Sequence, residues 1–429
     1  MKNPKHQRVF SPTKLLENIA KRFPILDKKS ILIFVKCTEL PLPERGDTVV
    51  VGMSGGVDST LSAMLLKERG CTVIGVTMSH WSGDSADEGT RSAMRRAACY
   101  GPDEALDIAE CRAFCKAQDI AYHVVDVREA YDKEVLGYFR REYRSGRTPN
   151  PCVRCNEQVK FGALLDGVKQ FGIDYDYFCT GHYASLVWLD YPPFPNSPTA
   201  VFIRAAEDKS KDQTYFLYRV PSSVLEKVRF PLAPYTKKQV REMAAERKLF
   251  CADRSDSQDF VSDGYFDSFF QDKASIPGDI ADLDGNVLGQ HCGIEHYTVG
   301  QRRGLGVSSN SPLYVHSIDA AQNRVVLSKN DDLLCKGLTA DDWVWAGGYE
   351  PASAFHAKVK IRLSSLPVSA TIRPVSSNKN YFGTAGETSK TWEIIFDTPQ
   401  RAITPGQSAV IYKEDIIVGG GIISNGIHE

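Results

Sequence analysis

One stretch constrains the fold more than any other: TVVVGMSGGVDSTLSAMLLKERG, from Thr48 to Gly70. A β-branched apolar run leads through paired glycines into a segment of helical periodicity that stops at a glycine. A strand, a tight loop and a helix in that order place backbone N–H groups and the positive end of a helix dipole at one point, where an anion binds. Gly55 and Gly56 let the backbone approach such a ligand with no Cβ in the way. Ser54 and Ser59 add hydroxyl donors. The lysine of the GxxxxGK[ST] phosphate loop is missing, so this is a different motif. Asp58 stands in the loop instead and suits Mg²⁺ held against a pyrophosphate. The plain alternative is a Gly-rich turn that only joins strand to helix. The hydroxyls and the carboxylate gathered around the two glycines argue against it.

The pattern repeats downstream. TVIGVTM reads as a second strand, Asp103 to Gln118 as a Cys- and Ala-rich helix, IAYHVVDV as a third strand and YDYFCTGHY as a fourth. Strands alternating with helices predict a parallel, doubly wound α/β sheet. TKKQVREMAAERKLF reads as a helix closing that region. From Ile276 onward short strands separated by turns take over, ending in AKVKIRL, SATIRPV, TWEIIFD and SAVIYKEDIIVGGGII, the pattern of an antiparallel barrel or sandwich. SSNKNYFGTAGETSKT reads as a polar hairpin loop. The 429 residues divide on this reading into an N-terminal extension (1–45), a domain that carries the glycine loop (46–269), a small central domain (270–335) and a C-terminal β-barrel (336–429).

Composition narrows the function. No apolar run approaches the ~18 residues of a membrane span. The net charge of −1 excludes a generally basic nucleic-acid binder, so an RNA partner needs local basic patches such as Arg302 and Arg303 in GQRRGLG. An odd count of 11 cysteines in a long chain points to a reducing, cytoplasmic setting rather than a disulfide scaffold. The first residues are basic, lack the apolar core of a secretory signal and soon include Glu17 and Asp27, so they read as an extension rather than a transit peptide.

The second chemical feature is Thr148-Pro149-Asn150-Pro151-Cys152-Val153-Arg154-Cys155-Asn156. Two prolines and an Asn predict a rigid, non-helical segment that presents a thiol. Arg154 and Arg147 stand where they would favour a thiolate. A CxxC in a reducing compartment is redox-active, metal-binding or sulfur-carrying, and no second CxxC or His pair completes a structural zinc site.

The SGGVDS loop resembles the signature of the PP-loop ATP pyrophosphatases, with an adenine-nucleotide α-hydrolase-like fold. With TPNPCVRCNEQVKFG, TGHYA, KSKDQTYFLY, DSQDF, YTVGQRRGLG and ITPGQSAVIY, the chain resembles the tRNA-specific 2-thiouridylases from about Asp47 to its C-terminus. That resemblance implies ATP and Mg²⁺ as cofactors, tRNA as substrate and a sulfur donor protein, such as a cysteine desulfurase or sulfur carrier, as partner. It implies ATP contacts from Gly52, Met53, Ser54, Gly55, Gly56, Val57, Asp58 and Ser59, with Met78 and Gly181 in the nucleotide pocket. Asn150, Pro151 and Cys152 would face the target base and Cys155 would be the nucleophile. His182, Lys211, Asp212, Gln213, Arg362, Leu363 and Gln407 match tRNA-contacting positions; Leu363 stands where the family commonly has an aromatic residue. A packed core histidine at 182, a solvated pair at 211 and 212 and a structural turn at 407 are the plain alternatives.

The chain departs from the family at Val261, which stands where familiar members carry a second catalytic cysteine. Cys152 is gained where the family often has Asp. Two chemistries fit. Cys152 partners Cys155 in a persulfide step, or both ligate an iron–sulfur cluster with a third thiol from Cys99, Cys179 or Cys251. The expected reaction adenylates the C2 oxygen of the wobble uridine and then replaces it with sulfur. An amidating PP-loop synthetase and a non-catalytic tRNA-binding relative are the alternatives.

Overall fold

Residues 37–81, 98–189, 193–194, 200–254, 259–261, 266–375 and 391–428 are described here, from a computed structural model. The expected polar loop at 376–390, most of the N-terminal extension and the side chain of Val261 lie outside the described residues.

The three consecutive valines of Thr48–Gly52 are fully buried, as a parallel strand covered on both faces requires. In chain order the first region contains β1 (Cys37–Glu39), β2 (Thr48–Gly52), α1 (Val57–Glu68), β3 (Thr72–Ser79), β4 (Ala98–Tyr100), α2 (Glu104–Ala117), β5 (Ala121–Asp126), β6 (Tyr177–Cys179), β7 (Ala184–Leu189), β8 (Val201–Ala205), β9 (Val228–Arg229), α3 (Lys237–Glu246) and β10 (Asp259–Val261). Five of the strands form a sheet in the order β5-β3-β2-β6-β9, every pairing parallel. This is the predicted doubly wound sheet. Thr236 and Gln239 form a reciprocal capping box that starts α3.

Strand alternation gives the sheet two chemically separate faces. Val49 and Val51 point to α1 and share a core with Leu61, Cys111, Cys115, Cys179 and Cys251. Val50 points the other way, into a core with Tyr100, Tyr131, Val153 and Phe178, and Cys155 packs against that second core. A separate two-stranded ribbon pairs β10 with β4 in parallel, Asp259 opposite Ala98 and Val261 opposite Tyr100.

Beyond it, β11 (Gly278–Ala281), β12 (Val287–His291), β13 (Tyr314–Asp319) and β14 (Arg324–Ser328) make a small sheet around Ile280, Val315, Val325 and Leu327. The last strands are β15 (Leu334–Trp345), β16 (Phe355–Lys360), β17 (Val368–Pro374), β18 (Trp392–Arg401), β19 (Ser408–Lys413) and β20 (Ile416–Ile427). They close into a six-stranded antiparallel barrel because β19 pairs with both β16 and β20. Closure leaves no edge strand. Trp392, Trp345 and Ile394 fill the interior. The strands β1, β7 and β8 extend the barrel sheet from β20, so the first region and the barrel share one continuous hydrogen-bonded surface.

The cysteine motif differs from the sequence expectation. The segment turns helical at Pro151: Pro151–Arg154 is an α-turn with proline in its first position, and Cys155–Ala163 continues as a π-helix. A proline at that position loses no helical hydrogen bond, which is why the ring starts the helix rather than breaking it. Only Thr148 to Asn150 are non-helical.

Candidate active site

The phosphate loop is shaped as its glycines require. Gly55 has φ +74°, in the left-handed region. Ser54 N–H donates to Ser59 Oγ at 3.1 Å, and Thr60 Oγ donates to the Gly56 carbonyl at 2.9 Å. Gly181 packs on the loop's helix: a Cβ there would lie 2.7 Å from the Asp58 carbonyl carbon and 2.8 Å from Ser59 N. Met53 directly follows β2 and is buried, and Met78, next to last in β3, packs partly against the Val50 face. The expected nucleotide residues therefore share the carboxyl ends of adjacent parallel strands, where open α/β sheets bind ligands.

Three residues at this site were not expected from the sequence. Lys237, at the start of α3, holds Asp58 with its ammonium 2.7 and 2.8 Å from the two carboxylate oxygens. Tyr183 donates its hydroxyl to Asp58 at 2.8 Å. Arg254 donates to the Gly55 carbonyl at 2.5 Å and pairs with Glu110 and Asp107. Tyr183 sits in TGHYA and Arg254 just before DSQDF, so a motif neighbourhood was their only sequence signal; Lys237 had none. The loop thus carries two cations beside it, although it lacks the phosphate-loop lysine. Among the described residues no three His, Cys, Asp or Glu side chains gather closely enough to hold a metal ion. Asp58 already faces an ammonium, so the residues present do not form a resident Mg²⁺ site.

The thiols lie on the other face of the sheet's end. Gln407 of the barrel donates its amide to the carbonyls of Thr148 and Pro149, at 3.0 Å each, and Thr148 N–H donates to the Pro405 carbonyl at 2.8 Å. A Cβ on Gly406 would lie 2.7 Å from the Thr148 carbonyl oxygen. The barrel turn therefore clamps the Pro-Asn-Pro segment directly ahead of Cys152. Asn150 and Pro151 are buried beneath it.

The two arginines do not face the thiols. Arg154 pairs with Glu157 at 3.2 Å and Asp342 at 2.8 Å, and Arg147 pairs with Glu142 at 2.7 Å. The cation that acts on Cys152 and Cys155 is Lys160, on the same π-helix. It makes no ion pair among the described residues. Burial still dominates: it raises Cys155 to about 11, with Lys160 pulling the other way, and raises Cys152 further. Cys99 acts electrostatically on both. Cys179 and Cys251 belong to the opposite face of the sheet. Of the three thiols expected as a third partner, Cys99 alone acts on both Cys152 and Cys155.

The expected tRNA contacts fall into two groups. His182 is buried, with Thr180 Oγ 2.7 Å from its Nδ1; burial first, then Lys160, holds it neutral. Gln213 accepts from Tyr183 N–H at 2.9 Å, and Asp212 accepts from Ala206 N–H at 3.1 Å and Thr214 Oγ at 2.6 Å. Arg362 donates to Thr404 Oγ at 3.0 Å and to the Ala402 carbonyl. These four, with Gln407, are engaged in holding the site's frame. Lys211 is half-buried, and Leu363, Arg302 and Arg303 are exposed.

A parallel sheet with a glycine loop at its carboxyl edge, joined to a helix-borne thiol pair, defines a nucleotide-dependent enzyme of the PP-loop class. The sequence matches the "tRNA methyl transferase HUP domain" over residues 47–262, the "tRNA methyl transferase PRC-barrel domain" over 268–329 and the "Aminomethyltransferase beta-barrel domain" over 335–423. It is 40% identical over 380 residues to the tRNA-specific 2-thiouridylase MnmA of Acetivibrio thermocellus, covering 87% of this chain and 98% of that relative. It is 41% identical over 380 residues to the protein of that name from Lachnoclostridium phytofermentans, covering 87% and 99%. The chain belongs to the tRNA-specific 2-thiouridylase family. Among solved structures, NMN synthetase from Francisella tularensis aligns at 13% identity over 58% of this chain and 76% of its own, with a TM-score of 0.29.

Proposed function

We infer that this chain is an ATP-dependent tRNA 2-thiouridylase, a sulfurtransferase of the PP-loop class. The observation that carries this reading is the juxtaposition at one end of the sheet. A phosphate-binding loop flanked by Lys237 and Arg254 stands near a π-helix that presents Cys155, with the barrel clamped onto the segment between them. The name of the matching family speaks of methyl transfer, but that chemistry has no use for an ATP-splitting loop or a thiol pair.

In the first step the loop N–H groups, Ser54, Ser59, Arg254 and Lys237 hold the ATP phosphates. The C2 oxygen of a uridine swung out of its stack attacks the α phosphate, and pyrophosphate leaves. Mg²⁺ supplies charge neutralisation when it arrives with ATP. In the second step sulfur carried on Cys155 attacks C2 and AMP departs. Cys152, one helical turn away, then attacks the Cys155 sulfur, and the thiolated base is released. A dithiol reductant restores the resulting Cys152–Cys155 disulfide. Adenylation is needed because it turns a poor leaving oxygen into a good one. The exposed Arg302 and Arg303, with Lys211, grip the tRNA backbone, and a donor protein is the source of the sulfur that Cys155 carries.

The test is nucleoside mass analysis of tRNA incubated with the protein, ATP and hydrosulfide. The reading expects 2-thiouridine and stoichiometric AMP. Release of AMP with an amidated product, or tRNA binding with no AMP at all, would instead favour an amidating ligase or a non-catalytic binder. Binding should weaken steeply with salt, and Arg303→Ala should flatten that dependence, because the contacts are to phosphates.

A further inference from the structure

Cys155 and Cys152 are half-buried and desolvated, which suits a protected reaction but not a handover from another protein. A donor protein carries its persulfide on its own surface, so the first thiol it meets must be exposed. None of the 11 cysteines is in a disulfide, and Cys37, Cys99 and Cys292 are the exposed ones. Cys37 is on β1, at the edge of the sheet that extends the barrel. Cys292 follows β12, in the small middle sheet. Of the three, Cys99 is the one whose chain neighbour, Tyr100, belongs to the core on which Cys155 packs.

The placement of Cys99 is built by several contacts. Its strand β4 is paired in parallel with β10. Its carbonyl is held 3.1 Å from His80 Nε2. Its neighbour Tyr100 stacks on the buried Tyr131 at 5.3 Å between ring centroids, with the rings 5° from parallel. Tyr131 is the shared wall: Cys155, Cys99 and Cys152 all act electrostatically on its hydroxyl. Cys179 and Cys251, the other conceivable partners, are separated from this wall by the sheet itself.

We propose that Cys99 is the outer thiol of a sulfur relay, taking sulfane sulfur from a protein persulfide and passing it inward to Cys155. The Cys99 thiolate attacks the terminal sulfur of the donor's R–S–SH, giving Cys99–S–SH and the donor thiolate. The Cys155 thiolate then attacks that same terminal sulfur, giving Cys155–S–SH and restoring the Cys99 thiolate. Each exchange forms one S–S bond and breaks another, so the relay needs no oxidant or reductant. The inference rests on the 2-thiouridylase reading, and it separates three roles: Cys99 receives, Cys155 delivers and Cys152 resolves.

The full chain is assayed for 2-thiouridine in tRNA with two sulfur sources: a cysteine desulfurase charged with L-cysteine, and sodium hydrosulfide, which displaces AMP without a protein donor. Cys99→Ser should lose desulfurase-driven thiolation while keeping hydrosulfide-driven thiolation and AMP release. In Cys155→Ser, sulfur from the desulfurase should stall on Cys99, where peptide mass analysis finds it. The relay is overturned if Cys99→Ser thiolates normally from the desulfurase, if it fails equally with both sources, or if the stalled sulfur maps to Cys152. A wild type that accepts only hydrosulfide overturns it as well. A wild type that makes no 2-thiouridine from either source defeats the underlying reading instead.

Discussion

The phosphate loop and the thiol helix are neighbours built on opposite plans. The loop is local. Its shape comes from residues adjacent in sequence, and its charges are neutralised by side chains of the same region, Lys237 against Asp58 and Arg254 against Asp107 and Glu110. The thiol site is assembled from afar. Gln407 of β19's turn clamps its approach, Asp342 of β15 ties down its arginines, and β4 brings Cys99. The first plan preserves a binding geometry whatever the barrel does. The second ties the thiol segment to the barrel.

Substitutions at the two sites should separate accordingly. The largest effect is expected at Cys155: Cys155→Ser should abolish 2-thiouridine formation from a persulfide donor while AMP release persists, measured side by side. Cys152→Ser should likewise stop turnover, whereas Cys111→Ser and Cys115→Ser, in α2 on the opposite face of the sheet, should be tolerated. Turnover retained in Cys152→Ser would mean that the Cys155 adduct is resolved by an outside thiol.

Asp58→Ala comes next. It should abolish AMP release, and it should also destabilise the fold, because Lys237 is only 9% exposed and would lose its carboxylate partner. The cost of breaking such a buried pair is about 3 kcal/mol. Adding Lys237→Met should restore most of the melting temperature without restoring AMP release. A double variant as unstable as Asp58→Ala would mean that the pair is not the source of the loss.

Arg219 tests the coupling of the two plans. It is 6% exposed and joins Glu157 of the π-helix at 2.8 Å to Asp342 of the barrel at 3.1 Å. Arg219→Met should cost about 3 kcal/mol on denaturant unfolding, and in the folded fraction should slow thiolation more than AMP release. Equal slowing of both would deny the barrel a special hold on the thiols.

The smallest effect is expected at Gln407. Gln407→Ala removes two hydrogen bonds to the Thr148 and Pro149 carbonyls, about 1 kcal/mol each. Thiolation should fall several-fold with AMP release nearly unchanged. A change confined to tRNA affinity would instead make Gln407 an RNA contact. The pH dependence sharpens the same site. With Cys155 raised to about 11, its alkylation rate should climb steadily from pH 7 toward pH 10, as the thiolate fraction grows. Lys160→Met should push that climb to still higher pH.

The sequence by itself determined the parallel sheet, the loop at its edge and the barrel that follows. Each rests on local information: valine runs, glycine conformation and strand periodicity act over a few residues. It also singled out Cys152 and Cys155 as a CxxC pair. It misjudged their backbone, because proline reads as a helix breaker until its position is known, and at Pro151 it opens a helix. It assigned Arg154 and Arg147 to the thiols, yet both turn to carboxylates, one of them 188 residues away at Asp342. Only the tertiary structure could decide such pairings, since a charged side chain goes to whichever opposite charge the fold brings near. The same holds for Lys237 against Asp58, across 179 residues. It holds too for the choice among Cys99, Cys179 and Cys251, which depends on which face of a sheet each thiol occupies.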